Sequence, residues 1–214
     1  MIIFIDFDGT AIEEIASNRL LDRFASGDWQ ELNRKYDAQM ISFRECVFEQ
    51  FSMLVGQRQE MIEFVRDEIK LRAGFKEFIN HCKLQQYDIH IVTEALDFMV
   101  EAVFEREQIF DIQIYSDRAI FEEGLFARVE LPHTRPDCVC QLGNCKGGHV
   151  RKYHPHYDLK IFVGDGSNDL CAARESDLVF ARRRLAELCQ QHEIEFVPFE
   201  DFFVIRDQLL QYGL

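Results

Sequence analysis

The chain opens on five apolar residues, Met1-Ile2-Ile3-Phe4-Ile5, and turns polar at Asp6. An unbroken apolar run of this length predicts a strand covered on both faces, the kind found inside parallel sheets. Comparable runs predict strands over 87–93, 112–116 and 159–165, with shorter ones over 178–181 and 195–198. Between them the spacing shifts to threes and fours and predicts helices over 74–84, 97–107, 168–175, 184–192 and 201–212. Strand and helix alternating in this way predict an α/β fold, a Rossmann-like three-layer core with a parallel sheet between helices.

Two stretches break the alternation. Residues 12–71 offer no strand pattern, and Met40, Phe43, Val47, Phe51 and Leu54 recur at helical spacing. A small helical unit inserted after the first strand is expected, leaving 1–11 and 72–214 as the core. The second break is a hairpin, 118–121 with 125–130 around Glu122-Glu123-Gly124, followed by a cysteine-rich loop.

Charge narrows the partners. With 24 Lys+Arg against 38 Asp+Glu the net charge is −14, which repels nucleic acid and anionic lipid. No stretch has the length of a membrane span. The N-terminus lacks a basic region and reaches Asp6 after five apolar residues, so it does not read as a secretory signal. Seven cysteines, an odd count, fit free thiols in a cytoplasmic setting. The oligomeric state is left open.

Candidate chemistry sits where predicted strands end. Asp6-Phe7-Asp8-Gly9-Thr10 follows the first, Thr93 closes the second, and Gly164-Asp165-Gly166-Ser167-Asn168-Asp169 follows the fourth. Lys146 lies in Gly143-Asn144-Cys145-Lys146-Gly147-Gly148, ahead of a helix-like stretch. In one parallel sheet these segments meet at the C-terminal edge, where ligands of open α/β sheets bind. The set predicts hydrolysis of a phosphate ester. Asp6 would attack phosphorus and form an aspartyl phosphate. Asp8 would act as general acid and then as base. Donors around Thr93 and Gly9 and the ammonium of Lys146 would hold phosphoryl oxygens. Like charges about 4 Å apart cost roughly 4 kcal/mol per pair at an effective dielectric near 20, so carboxylates converging on a phosphate require a cation. An oxygen-rich acidic site suits Mg²⁺. Its expected ligands are Asp6, Asp165 and the Asp8 carbonyl, with Asp169 behind them. Gly9, Thr10, Thr93, Glu94, Lys146 and Asn168 are expected to border a small phosphorylated metabolite.

These four segments together resemble the motifs of the haloacid dehalogenase superfamily, in its phosphatase branch. The resemblance implies an Asp nucleophile at Asp6, an acid/base at Asp8, Mg²⁺ as cofactor, and a C1 cap of the phosphoserine-phosphatase-like subgroup in the helical insertion. Leu131-Pro132-His133, the cysteine-rich loop, Val179-Phe180-Ala181-Arg182 and Val197-Pro198-Phe199-Glu200-Asp201-Phe202 are similar to the methionine-salvage phosphatases. Their substrate is the enol phosphate 2-hydroxy-3-keto-5-methylthiopentenyl-1-phosphate. Two positions differ from that family. Thr93-Glu94-Ala95 replaces Ser-Gly-Gly, and Ile15 stands where an acid is usual. Phosphoserine or another small metabolite is the alternative substrate. A regulatory module that accepts phosphate without turnover is the alternative of another class. Cys138, Cys140 and Cys145, with His133 or His149, leave zinc and free thiols both open, because paired Cys-x-x-Cys knuckles are missing.

Overall fold

The computed structural model describes residues 1–135, 138 and 140–214. Seven strands form one sheet: β1 (Ile2–Ile5), β2 (Asp88–Leu96), β3 (Gln113–Glu122), β4 (Leu125–Glu130), β5 (Lys160–Gly164), β6 (Leu178–Ala181) and β7 (Val197–Pro198). Their order is β4-β3-β2-β1-β5-β6-β7, parallel except for β4 against β3. The chain builds outward from β1 on one side, then returns to build the other. The strand order therefore reverses at β1, and the crevice of such a switch opens at its C-terminal end.

Among the described residues, ten helices complete the fold. They are α1 (Ala16–Phe24), α2 (Gln30–Asp37), α3 (Phe43–Ser52), α4 (Arg58–Glu68), α5 (Phe75–Leu84), α6 (Asp97–Glu107), α7 (Lys146–Tyr153), α8 (Leu170–Ala173), α9 (Arg183–Gln191) and α10 (Phe202–Gln211). Side chains alternate along β1. Ile3 and Ile5 enter a core with Phe75, Phe78, Phe104 and Phe202 from α5, α6 and α10. Ile2 and Phe4 enter another with Val150, Ala172 and Leu185 from α7, α8 and α9. Covered on both faces, β1 is wholly buried.

Helices α1–α4 lie between β1 and β2. The strand-like bridge Ile12↔Leu71 closes the loop where the chain leaves and rejoins the sheet. A second seam joins this helical unit to the β3–β4 hairpin. Arg58 N donates to Gly124 O at 2.8 Å, Phe126 N donates to Gly56 O at 3.0 Å, and Gln57 pairs with Leu125.

Several expected boundaries move, each for a local reason. Segments 112–116 and 118–121 are one strand, β3, with Asp117 buried inside it. Strand β2 runs past Thr93 to Leu96. Its register with β3 slips between Val92 and Leu96, so Thr93-Glu94-Ala95 bulge out of the ladder. The helix expected over 168–175 starts as a 3₁₀ turn at Ser167–Asp169, because Asp169 Oδ2 accepts the amides of Asp165 and Gly166, both at 2.9 Å. Met40 lies outside α3 and is 73% exposed, since that helix begins with the Ser42–Glu45 capping box.

Candidate active site

Asp6 shares the parity of Ile2 and Phe4, so it points toward the face that carries α7, whose first residue is Lys146. The ammonium of Lys146 is fully buried and donates to Asp6 Oδ1 at 2.7 Å and to Asp169 Oδ1 at 2.6 Å. Asp169 spends its other oxygen on the Asp165 and Gly166 amides. Asp165 Oδ1 accepts from the Thr10 hydroxyl at 3.1 Å, and Arg183 approaches Oδ2 at 3.5 Å. Asp6, Asp165 and Asp169 each bring a carboxylate oxygen within 4.8 Å of the others.

The turn Phe7–Ala11 delivers the remaining groups. Gly9 has φ +73°, and a Cβ there would lie 2.4 Å from Asp165 Oδ2. Glycine thus lets this turn and the Asp165 loop touch. Asp8 turns toward α1. Its Oδ1 accepts Ala16 N at 2.8 Å, and its Oδ2 accepts the Ser17 hydroxyl at 2.6 Å and amide at 3.3 Å. The carboxylate therefore satisfies free N–H groups at the start of a helix that has no side-chain cap of its own.

On the β2 bulge, Thr93 Oγ1 accepts the Ala95 amide at 3.0 Å. Glu94 does not float free beside the other acids. Its Oε1 accepts Gly143 N at 3.1 Å and its Oε2 accepts Asn168 Nδ2 at 2.8 Å. The side chain is stitched between two loops.

Burial, joined by the charge of Asp169, raises Asp6 well above the usual carboxylate range, against the pull of Lys146. Burial also raises Asp8, Glu94 and Asp165. It opposes the charge on Lys146, yet Asp169 and Asp6 hold that pKa above the ordinary lysine value. One ammonium faces several acids, and no hydrogen bond among the described residues reaches Asp6 Oδ2. That oxygen-rich, electron-rich donor set fits a hard divalent cation.

A cavity of 280 Å³ lies over the site. Asp6, Asp8, Thr93, Glu94, Asp165 and Asn168 line its floor, whereas Gly9, Thr10, Lys146 and Asp169 stand behind the wall. Helices α1–α3 roof it with Leu21, Phe43, Val47 and Phe51, and Ile15 completes the apolar part. Ser17, Asn18, Asn33 and Gln50 supply polar atoms, and among the described residues no Arg or Lys lines the space. A wider cleft of 630 Å³ runs beside it between 39–43 of the helical unit and 140–142 with α8.

Two supporting residues were not singled out by the sequence. Buried Arg72 gathers the carbonyls of the turn: Nη2 donates to Gly9 O at 2.7 Å and Ile12 O at 3.1 Å, and Nε to Thr10 O at 2.7 Å. Buried Asn144 ties the loop before α7 to the sheet, donating to Thr93 O at 2.8 Å and Tyr115 O at 2.9 Å. Asn144 lies two residues from Lys146, so its neighbourhood was marked; Arg72 shares the short linker between α4 and α5 with Lys70.

Among the described residues no helix is long and apolar enough to cross a membrane. The family described as Putative Phosphatase matches residues 1–198. A protein of Exiguobacterium sp. strain AT1b named 2-hydroxy-3-keto-5-methylthiopentenyl-1-phosphate phosphatase is 35% identical over 205 residues, covering 95% of this chain and 94% of its own. One of the same name from Geobacillus kaustophilus is 33% identical, covering 98% and 95%. In fold, the chain is similar to a phosphoserine phosphatase solved as a phospho-aspartyl intermediate analogue, at TM-score 0.71 and 17% identity over 99% of this chain and 97% of that one. A haloacid dehalogenase family hydrolase of Salmonella enterica serovar Typhi gives 0.74 and 18% over 95% and 69%. With a family match over nearly its whole length and relatives of its own size, the chain belongs to the Putative Phosphatase family, built on the haloacid dehalogenase fold.

Proposed function

We propose that the chain is a Mg²⁺-dependent phosphomonoesterase that works through an aspartyl phosphate on Asp6. The observation that carries this reading is the buried Lys146 ammonium between Asp6 and Asp169. Two of its three N–H donors are engaged. From behind the wall its charge fixes the Asp6 carboxylate and offsets that of a phosphoryl group drawn to Asp6. The Asp6 carboxylate attacks phosphorus, and the ester oxygen leaves with a proton from Asp8. Burial, which raises the Asp8 pKa, favours that protonated form. Asp8 then takes a proton from the water that cleaves the acyl phosphate. Thr93 accepts only through its oxygen, so its O–H is free to hold a phosphoryl oxygen. Gly9 and Thr10 shape the turn around it, and Glu94 and Asn168 hold the rim together. Asp6, Asp165 and the Asp8 carbonyl are the ligands we assign to Mg²⁺, with Asp169 orienting Lys146 and the Asp165 loop. When bound, the ion offsets the acidic charge and polarises the phosphoryl group.

Residues 12–71 serve in this reading as a cap that chooses the substrate, on a core of 1–11 and 72–214. The wall of Ile15, Leu21, Phe43, Val47 and Phe51, with Asn and Gln among it and no cation, suits a neutral, partly apolar leaving group. This favours 2-hydroxy-3-keto-5-methylthiopentenyl-1-phosphate, whose thioether tail would face the apolar side. Phosphoserine would bring a carboxylate to a wall without a cation. A cytoplasmic setting completes the proposal.

The test is hydrolysis of an aryl phosphate with and without Mg²⁺. Saturating, metal-dependent turnover that Asp6→Asn abolishes is expected. Stoichiometric labelling without release would instead identify a phosphate-accepting module.

A further inference from the structure

Four of the seven thiols gather on the far side of Lys146. Cys138, Cys140 and Cys145 come from the loop ahead of α7, and Cys171 comes from α8. The Sγ atoms of Cys138 and Cys140 are 2.9 Å apart, those of Cys138 and Cys145 3.3 Å, and those of Cys140 and Cys145 3.6 Å. Cys171 lines the same cleft as Cys140, and its sulfur lies 3.3 Å from the Gly147 amide at the start of α7. None of the sulfur–sulfur distances is that of a disulfide, about 2.05 Å. A tetrahedral ion with Zn–S bonds of about 2.3 Å sets its sulfurs about 3.8 Å apart, to which the two longer edges come close.

Cys138, Cys140 and Cys145 each bring a sulfur within 4.8 Å of the others, and the Cys171 sulfur receives the Gly147 main-chain N–H. Gly147 makes the close approach possible. A Cβ there would lie 2.5 Å from the Cys171 carbonyl oxygen. The histidines nearby are otherwise engaged. His149 Nε2 pairs with Asn144 Oδ1 at 2.7 Å, and its ring stacks on Tyr115. The His133 ring packs edge-on against Tyr115 and His149.

We propose that Cys138, Cys140, Cys145 and Cys171 form a tetrathiolate site for Zn²⁺ that clamps the loop ahead of α7 to α8. The thiols release their protons to solvent as the ion binds, and no redox change occurs. All four ligands are protein groups, so the site is closed and structural. It is separate from the acidic site, whose ligands are oxygens. Its place gives it a positioning role. Cys145 immediately precedes Lys146, and Cys171 follows Asp169 by two residues. Zinc would thereby fix the two backbones that carry the Lys146–Asp169 ion pair.

The test uses the full chain purified without added chelator. Elemental analysis should find one zinc per chain. Cobalt added to protein refolded without metal should give the visible bands of a tetrahedral thiolate complex, saturating at one equivalent. Cys140→Ser should lose the zinc and the cobalt bands, while Cys46→Ser and Cys82→Ser keep both. If the refolded wild-type chain takes up neither zinc nor cobalt, or if mass mapping finds Cys138 bonded to Cys140 in the native protein, the proposal is overturned. Retention of a full zinc equivalent by Cys140→Ser would overturn the ligand set.

Discussion

Arg72 Nη2 donates to the carbonyl of Gly9 at 2.7 Å, reaching across 63 positions of sequence into the turn that carries Asp8. The same guanidinium serves Thr10 and Ile12, so one planar fork fixes the turn between β1 and α1. A lysine at this place would keep the charge and lose the fork. Arg72→Lys should lower stability by about 2–3 kcal/mol, the scale of charge-assisted bonds lost in a buried site, and reduce kcat more than it alters KM. Urea unfolding and steady-state kinetics on an aryl phosphate check this. An unchanged urea midpoint would show that the turn holds itself.

Asp8, the proposed acid/base, is tied to α1 of the helical unit through Ala16 and Ser17. Asp8→Asn keeps an acceptor for one side of those bonds and loses the transferable proton. Turnover should fall by about 10²–10⁴, the usual contribution of a general acid or base. Intact-protein mass spectrometry after rapid quenching should then detect the phosphoenzyme. Wild-type rates in this variant would remove Asp8 from the mechanism.

Asp117 is fully buried inside β3, and neither carboxylate oxygen has a hydrogen-bond partner among the described residues. Burial, with the charge of Glu94 added, raises its pKa well above the ordinary value. The folded chain therefore holds this proton at pH values where the unfolded chain has released it. The associated stability is complete below the unfolded value and is lost as pH climbs toward the folded one. Asp117→Asn removes that slope. Its stability relative to the parent should rise between pH 5 and pH 8. Equal differences at both pH values in denaturant titrations would mean that Asp117 is not the group responsible.

Ile15 is 44% exposed and faces the cavity. An acid at this place would meet the ammonium of an amino-acid substrate. Ile15→Glu should raise kcat/KM for phosphoserine relative to a neutral thioether phosphate by about tenfold, the effect of roughly 1.4 kcal/mol at the transition state. A ratio that stays constant would place specificity elsewhere in the cap.

Much of this was legible because the candidate groups sit at the ends of regular elements. Five apolar residues before Asp6 and the alternation of strand and helix were enough to place the acids, Thr93 and Lys146 at one edge. What stayed hidden depends on contacts made across long stretches of chain. Arg72 sits in a linker with no periodic neighbours, and its partners are carbonyl oxygens, which leave no trace in side-chain pattern. The bulge at Thr93-Glu94-Ala95 is a register slip against β3 and needs both strands to be seen. Glu94 looked like surplus charge because its two donors, Gly143 and Asn168, come from separate loops. Cys171 was set apart from the other three thiols by its place on an apolar helix face; folding brings it beside them.

The seam between Gly56-Gln57-Arg58 and the hairpin at Gly124-Leu125-Phe126 makes the helical unit lopsided in its freedom. Main-chain bonds pin one flank, and the Ile12↔Leu71 bridge pins the root. The flank formed by 39–43, over the cleft beside 140–142, has no such tether among the described residues. Swinging there breaks no sheet pairing, so metabolite should enter and phosphate depart on the cysteine-loop side, with the hairpin acting as the jamb of the door.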